Sequence, residues 1–169
     1  MSSSFVFNRV ALIGMGLIGS SIARAARAQG AARSIVATAR SQATRRRVAE
    51  LGLADQVVET NAAAVEGADL VILCIPVGAA GAVAAQISSH LAANATVSDV
   101  GSVKGAVMRD VLPHIPAGVH FVPAHPVAGT EYSGPEAAIR VKSRKPPAEN
   151  WSTSERVTWL NSSAVPTMV

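Results

Sequence analysis

The sequence is poor in cysteine, lysine and aromatic residues. Its 169 residues include one cysteine, Cys74, three lysines and six aromatic residues. A single cysteine excludes a disulfide framework and a zinc site built from several cysteines, and we assign no metal-binding residue. Charged residues make up 15% of the chain and hydrophobic residues 49%, which excludes a disordered, collagen-like or coiled-coil protein. The length predicts roughly one domain.

No segment has the pattern of a membrane span or a secretory signal. Residues 70–98 contain no charged residue, but Pro76, Gly78 and Gly81 interrupt them. A spanning helix needs about 20 predominantly apolar residues, so we interpret this segment as a buried strand followed by a helix of small residues. The first seven residues lack a charged segment before an apolar core. We therefore expect a soluble, cytoplasmic chain with no membrane partner.

The basic charge is concentrated near the end of the chain. The net charge is +4, yet residues 1–138 contain ten Lys and Arg against nine Asp and Glu, while residues 139–169 contain five against two. A nucleic-acid-binding domain carries its basic residues as a patch on a folded face. The cluster at 45–47 is better explained as a solvated helix face. We therefore expect no nucleic-acid partner.

Short apolar runs alternate with segments of helical periodicity. Strands are predicted over 9–13, 34–38, 57–58, 70–75, 96–100 and 120–123, and helices over 17–29, 42–51, 61–65, 78–91 and 103–112. Alternation of this kind predicts an α/β fold with a parallel sheet covered on both faces. Right-handed crossovers then favour a doubly wound, Rossmann-like dinucleotide-binding domain of strand order 3-2-1-4-5-6. Cys74 would be a small buried hydrophobe in the fourth strand.

The composition changes near residue 138. Before it the chain is rich in alanine, valine and glycine; after it come a basic segment, a double proline and a stretch rich in serine and threonine. We assign residues 1–138 to the dinucleotide-binding domain and residues 139–169 to an irregular, mobile or poorly packed tail. A short extension packed through the two tryptophans of that segment is the alternative.

A glycine fingerprint follows the first predicted strand and opens the first predicted helix. Gly14, Gly16 and Gly19 form the pattern G-x-G-x-x-G, and this context identifies a dinucleotide site. Gly14 allows a tight turn, Gly16 lets the backbone approach a pyrophosphate, and Gly19 lets the helix pack close to the strand. The helix N-terminus at Leu17 and Ile18 then offers free N–H groups to the phosphates.

The end of the second strand bears on the choice between NAD and NADP. An acid is expected there to bind the adenosine ribose in an NAD site, but no acid lies between Gly19 and Glu50. Arg40 and Ser41 occupy this place instead, and an arginine pairs with a 2′-phosphate. We therefore predict NADP preference or tolerance of both cofactors. Pro76, which closes the fourth strand, is assigned to the same site.

Two further loops lie where ligands bind in open α/β sheets, at the carboxyl ends of strands. Residues 98–104 follow the fifth strand with the sequence S-D-V-G-S-V-K, and residues 123–131 follow the sixth with P-A-H-P-V-A-G-T-E. His125 is poorly placed there for a core histidine. A histidine in this position can accept a proton from a hydroxyl while hydride leaves the same carbon.

These segments together resemble the prephenate/arogenate (cyclohexadienyl) dehydrogenase family. The matching pieces are V-A-L-I-G-M-G-L-I-G-S-S, A-D-L-V-I-L-C-I-P-V, D-V-G-S-V-K and A-H-P-V-A-G-T-E, spread over residues 9 to about 138. Many dehydrogenases share the glycine fingerprint and the strand that ends in I-P. The last two pieces are more specific, and the resemblance rests on them.

The resemblance implies NAD(P)-dependent oxidative decarboxylation of prephenate or arogenate in tyrosine biosynthesis. By the same resemblance His125 is catalytic and binds the substrate hydroxyl, and Ser102 holds that hydroxyl and the histidine in register. Ser102 is also a candidate N-cap of the helix over 103–112. Thr130 and Glu131 would shape the substrate site, although Glu131 could equally be a solvated loop acid. Lys104 is expected to be exposed in the first turn of its helix.

The chain departs from the family in one respect. Members carry, after the cofactor domain, a helical domain that supplies the dimer contact and cationic groups for the substrate carboxylates, and we find no counterpart of it. We expect a truncated or out-of-frame ending, a homodimer only if that domain were present, and cofactor binding with little or no turnover. The alternatives are another β-hydroxyacid-type dehydrogenase or imine reductase, and a non-catalytic NADP-binding module.

Overall fold

A six-stranded parallel sheet forms the centre of the protein. The computed structural model describes residues 5–125, and the strand order is β3-β2-β1-β4-β5-β6. The strands are β1 (Phe7–Ile13), β2 (Ala32–Thr38), β3 (Gln56–Val58), β4 (Leu70–Leu73), β5 (Thr96–Asp99) and β6 (His120–Val122). The helices are α1 (Leu17–Ala28), α2 (Gln42–Glu50), α3 (Asn61–Val65), α4 (Val77–Ile87) and α5 (Lys104–Val111), with short 3-10 turns at Ser88–His90 and Leu112–His114.

The predicted fold class and strand order are confirmed. Every predicted strand and helix is present, and all five strand pairings are parallel. The differences lie at the ends of elements: β4 stops at Leu73, before the predicted residue 75, and α4 gives way to a 3-10 turn after Ile87. The assignment of residues 126–138 to the domain and of 139–169 to a tail lies outside the described residues.

The sheet is covered on both faces because its central strands alternate between two apolar layers. In β1, Val10 and Leu12 pack into one cluster together with residues of α1 and α2. Their neighbours Ala11 and Ile13 pack into a second cluster with residues of α4 and α5. Both faces of β1 and β4 are therefore covered by apolar side chains. The backbone groups at the ends of these strands are the ones available for ligand binding. Within residues 5–125 no helix is long and apolar enough to cross a membrane.

Cys74 lies immediately after β4, beneath the turn that follows β1. Its amide donates to the Ile13 carbonyl at 2.7 Å, and its side chain packs against the apolar cluster of α1 and α2. Burial raises the pKa of the Cys74 thiol from 9.0 to about 12, and the negative charge of Asp99 adds to the effect. The thiol is therefore protonated at neutral pH, but Cys74 is only half-buried and lies after β4, not within a fully buried strand as predicted.

The raised pKa predicts slow alkylation of Cys74 in the folded chain. The thiolate is the reactive species, and a rise from 9.0 to about 12 reduces its fraction at pH 8 about 1000-fold. We expect iodoacetamide to modify the folded chain slowly, with a rate that increases about tenfold for each pH unit between 7 and 9. The urea-unfolded chain serves as the control, and equal rates in the two states would contradict the prediction.

Candidate active site

A cavity of about 1000 Å³ opens at the carboxyl edge of the sheet. Its walls come from the last residues of β1 and β2 and from the segments that follow β3 and β4. The residues that line it include Gly14, Gly16, Arg40, Ser41, Glu59, Cys74 and Pro76. The cavity therefore lies where the chain crosses from one half of the sheet to the other, the usual ligand position in doubly wound sheets.

The glycines of the turn after β1 allow close backbone contacts. Gly14 has φ of +96°, and a Cβ atom there would lie 2.3 Å from the carbonyl oxygen of Cys74. A Cβ atom on Gly19 would lie 2.1 Å from the Gly14 carbonyl oxygen, so α1 could not pack so close to the strand with any larger residue. Gly16 differs, because within residues 5–125 no atom beyond its two chain neighbours lies within 4 Å of its missing Cβ. The space beside Gly16 is open to the cavity.

The first turn of α1 has no side-chain cap. Gly16 is the N-cap residue and offers no side-chain acceptor, and Leu17 and Ile18 follow as half-buried residues. The first amide groups of a helix lack partners within the helix and attract anions. Gly14 and Gly16 line the cavity, whereas Leu17, Ile18 and Gly19 do not. The structure therefore places Gly14 and Gly16 at the cavity and the predicted residues Leu17, Ile18 and Gly19 behind its wall.

Arg40 and Ser41 both line the cavity at the end of β2, but they differ in their contacts. Arg40 is exposed. The Ser41 hydroxyl accepts a hydrogen bond from the Thr44 amide at 3.0 Å and caps α2. Arg45 donates to the Ala39 carbonyl at 2.8 Å, which anchors its guanidinium under the same turn.

Sequence reasoning missed an acid at this end of the cavity. Glu59 follows β3, lines the cavity, and places a carboxylate oxygen 3.9 Å from Nη2 of Arg45. The dinucleotide fingerprint predicts an acid in the segment after β2, before Glu50, whereas Glu59 directly follows the neighbouring strand β3. The parallel pairing of β2 with β3, together with the predicted end of β3, was the signal that could have found it.

Pro76 closes the segment after β4. It is the N-cap residue of α4, and it is exposed and lines the cavity. Its ring fixes the backbone at the start of the helix. Pro76 and Gly14 thus line the same cavity from neighbouring strands, and their role in cofactor binding stays a prediction.

His125 is exposed in the loop after β6, at the same edge of the sheet. Its Nδ1 atom lies 3.2 Å from the carbonyl oxygen of Val100, which follows β5. A carbonyl oxygen only accepts hydrogen bonds, so Nδ1 carries the hydrogen and Nε2 of the neutral ring is left with its lone pair. This arrangement gives His125 the form required of a proton acceptor.

A buried carboxylate and a lysine join the loops after β5 and β6. Asp99 is 2% exposed and accepts hydrogen bonds from the Gly101 amide at 2.7 Å, from Lys104 Nζ at 2.5 Å and from the Ala124 amide at 3.2 Å. Lys104 Nζ also donates to the Ala124 carbonyl. We call these groups of Asp99, Lys104 and Ala124 the clasp.

Two expectations about the loop after β5 are wrong. Lys104 is not a solvated first-turn residue, because its ammonium group is held by Asp99 and Ala124 and its side chain is only 31% exposed. Ser102 is not the helix N-cap: α5 begins at Lys104, its N-cap residue is Val103, and no side chain caps it. The helix therefore begins at Lys104, one residue later than predicted, and without a hydroxyl cap from Ser102.

Ser102 lies exposed in this loop, between β5 and α5. Among the hydrogen bonds within residues 5–125, none joins its hydroxyl to His125. The structure therefore brings Ser102 and His125 to neighbouring loops at one edge without direct contact. Thr130 and Glu131, the other predicted substrate residues, lie outside the described residues. The same part of the chain holds no group of three or more potential metal ligands.

Comparison with known proteins agrees with this geometry. A family described as "Prephenate dehydrogenase, nucleotide-binding domain" matches residues 22–143. The cyclohexadienyl dehydrogenase of Zymomonas mobilis is 42% identical over 134 residues, which are 79% of this chain and 45% of that protein. The prephenate dehydrogenase of Bacillus subtilis is 30% identical over 130 residues, 76% of this chain and 35% of that protein.

Solved structures show the same likeness. The prephenate dehydrogenase of Aquifex aeolicus, solved with hydroxyphenyl propionate and NAD+, matches with a TM-score of 0.78 and 26% identity over 99% of this chain and 60% of that chain. Arogenate dehydrogenase of Synechocystis matches with a TM-score of 0.70 and 28% identity over 78% of this chain and 45% of that chain.

The chain spans less than half the length of these two curated relatives. The family match begins within α1, at residue 22, and includes β2 to β6 and the histidine loop. The chain therefore belongs to the prephenate dehydrogenase family, whose nucleotide-binding domain it carries.

Proposed function

We propose that this chain binds NADP or NAD and supplies the proton-accepting histidine for oxidative decarboxylation of prephenate or arogenate. The observation that carries the proposal is the orientation of His125, whose Nδ1 is held by the Val100 carbonyl while the ring is exposed at the carboxyl edge of the sheet, outside the set of residues that line the cavity. Relatives named for prephenate and for arogenate match 76% and 78% of this chain. A small-molecule substrate and a cytoplasmic location belong to the same proposal.

The residues around the glycine turn fit a dinucleotide. The open space beside Gly16 leaves room for a pyrophosphate at the uncapped N-terminus of α1, where backbone amides attract anions. The cavity of about 1000 Å³ extends from there to Arg40 and Ser41. Gly14, Gly16 and the amides of Leu17, Ile18 and Gly19 would hold the phosphates, and Pro76 would lie against the cofactor from the β4 side.

The chemistry assigned to His125 is proton acceptance during hydride loss. A bound oxidised nicotinamide would supply the hydride acceptor for the ring carbon that carries the substrate hydroxyl. The hydroxyl proton must leave as the carbonyl forms, and Nε2 of His125 accepts it. Release of the ring carboxylate as carbon dioxide then makes the product aromatic. Ser102 would contact the same hydroxyl from the neighbouring loop, and Thr130 and Glu131 remain predicted substrate residues.

The charges at the adenosine end support NADP preference or tolerance of both cofactors. Arg40 is exposed at the cavity wall, where a 2′-phosphate would meet it. Ala39 stands where an acid would repel that phosphate. Glu59 is the opposing charge, but its carboxylate is directed to Arg45 at 3.9 Å.

Gly16→Val tests the phosphate site without disturbing the fold. Among residues 5–125 no atom outside the two chain neighbours lies within 4 Å of the missing Cβ, so we expect the fold to persist, with a small fall in melting temperature because valine is a poorer helix N-cap than glycine. The new side chain would occupy the pyrophosphate position and weaken NADPH binding about tenfold or more. Fluorescence titration measures the affinity. Gly105→Ala is the matched control, because its added Cβ also meets open space; equal affinities for the two variants would refute the site.

Arg40→Asp tests the cofactor preference. Loss of a charge-assisted hydrogen bond to the 2′-phosphate should weaken NADPH binding about tenfold or more, with a smaller change for NADH. Arg46→Asp makes the same charge change at an exposed position of α2 that does not line the cavity. An Arg40→Asp protein that binds NADPH as the unsubstituted chain does would exclude the role of Arg40.

His125→Asn tests the chemistry. With the chain in molar excess over NADP+, we expect prephenate or arogenate to produce slow absorbance growth at 340 nm, which His125→Asn abolishes while NADPH still binds. Retained activity in His125→Asn would favour another class of dehydrogenase. Cofactor binding with no reduction by the unsubstituted chain would favour a non-catalytic module.

A further inference from the structure

We propose that the clasp of Asp99, Lys104 and Ala124 is a positioning device that fixes the place and the tautomer of His125. The inference rests on the proposed function in one respect, that His125 accepts the substrate proton. Asp99 and Lys104 are positioning residues here, because they act through the backbone of the histidine loop and not on the substrate.

The clasp holds the peptide groups on both sides of Ala124. Asp99 accepts from the Ala124 amide at 3.2 Å, and Lys104 Nζ donates to the Ala124 carbonyl. The carbonyl belongs to the peptide bond that leads into His125. Two successive peptide planes are therefore held by one ion pair, and the remaining freedom of His125 is mostly that of its own side chain.

The sheet itself does not hold this loop. The pairing of β5 with β6 covers only Thr96–Ser98 against His120–Val122, so the regular hydrogen bonds end before Pro123. Proline has no amide hydrogen to continue them. One residue later, at Ala124, the hydrogen bonds of the clasp begin, and they link the loop to the end of β5.

A fixed backbone also determines which ring nitrogen is available. Nδ1 of His125 reaches the Val100 carbonyl at 3.2 Å, and Val100 is the residue next to Asp99. The Asp99 carboxylate, which holds the loop, and the Val100 carbonyl, which holds the ring, therefore belong to adjacent residues at the end of β5. If the loop moves away from that segment, Nδ1 loses its acceptor, and the ring reverts toward the Nε2–H tautomer that cannot accept a proton at Nε2.

An ion pair retained for stability alone would be a poor solution at this place. Taking both charges out of water costs free energy, and apolar replacements of buried pairs are often neutral or stabilising. The Asp99 side chain is only 3% exposed, and the Lys104 side chain that pairs with it is 31% exposed. What an apolar pair could not do is accept from one peptide group and donate to the next, which is the arrangement that fixes the loop.

Nitrogen NMR of the chain labelled with 15N-histidine tests the proposal. The tautomer ratio of His125 is read at about pH 9, where histidine side chains are neutral, and the His125→Gln spectrum assigns the signal. We expect the unsubstituted chain to favour Nδ1–H. Lys104→Met and Asp99→Asn should each shift the ratio toward Nε2–H about fivefold, as loss of one hydrogen bond would, and Lys104→Arg should restore most of it.

Controls separate positioning from folding and from the proposed function. Arg109→Met removes a cation from the exposed side of the same helix and should leave the ratio unchanged, since within residues 5–125 Arg109 pairs only with Asp110. NADPH affinity should change less than about twofold in Lys104→Met, since the clasp does not line the cavity. If Lys104→Met fails to fold, the milder Lys104→Gln decides.

The outcome that overturns the proposal is a folded Lys104 or Asp99 variant whose His125 keeps the ratio of the unsubstituted chain. A shifted ratio in a chain that oxidises neither prephenate nor arogenate would leave the clasp in place and refute only the proposed reaction. The two failures are therefore distinguishable, because the NMR readout needs neither substrate nor turnover.

Discussion

The backbone approaches itself at the end of β1 more closely than any side chain would permit. Gly14 lies against the Cys74 carbonyl, and Gly19 lies against the Gly14 carbonyl, at distances of 2.3 Å and 2.1 Å for the missing Cβ atoms. The turn is tied to both neighbouring strands as well, through Gly14 N to Thr38 O at 3.0 Å and Cys74 N to Ile13 O at 2.7 Å. These contacts set the start of α1, and with it the position of every amide that could meet a phosphate.

The strand order spreads the rest of the site along one edge. From β1, the chain builds outward on one side through β2 and β3 and on the other through β4, β5 and β6. Adjacent strands lie about 4.8 Å apart, so the histidine loop after β6 is about 14 Å from the glycine turn. A ligand that reaches both must be extended along the edge, which suits a dinucleotide better than a single nucleotide.

The fold could be predicted from the sequence because its determinants are local. Apolar runs such as Val10–Ile13 identify buried strands, and glycines at 14, 16 and 19 identify the turn between the first strand and helix. Contacts between distant segments were harder to predict. Glu59 was missed because it enters the cavity from β3, and the partners of Lys104 were missed because Ala124 lies 20 residues away. Ser102 is a candidate N-cap from the sequence because the residues that follow it have the periodicity of a helix.

The clasp explains why the residues after β5 have the pattern Asp-x-Gly-x-x-Lys. The Gly101 amide donates to the carboxylate of Asp99, two residues earlier in the chain, at 2.7 Å. A Cβ atom on Gly101 would lie 2.8 Å from Val77 and 3.1 Å from Asp99. The loop that this glycine allows delays α5 until Lys104, whose side chain then points back to Asp99. The same segment that resembles a family motif in the sequence is thus one physical unit, and its function is to hold the neighbouring histidine loop.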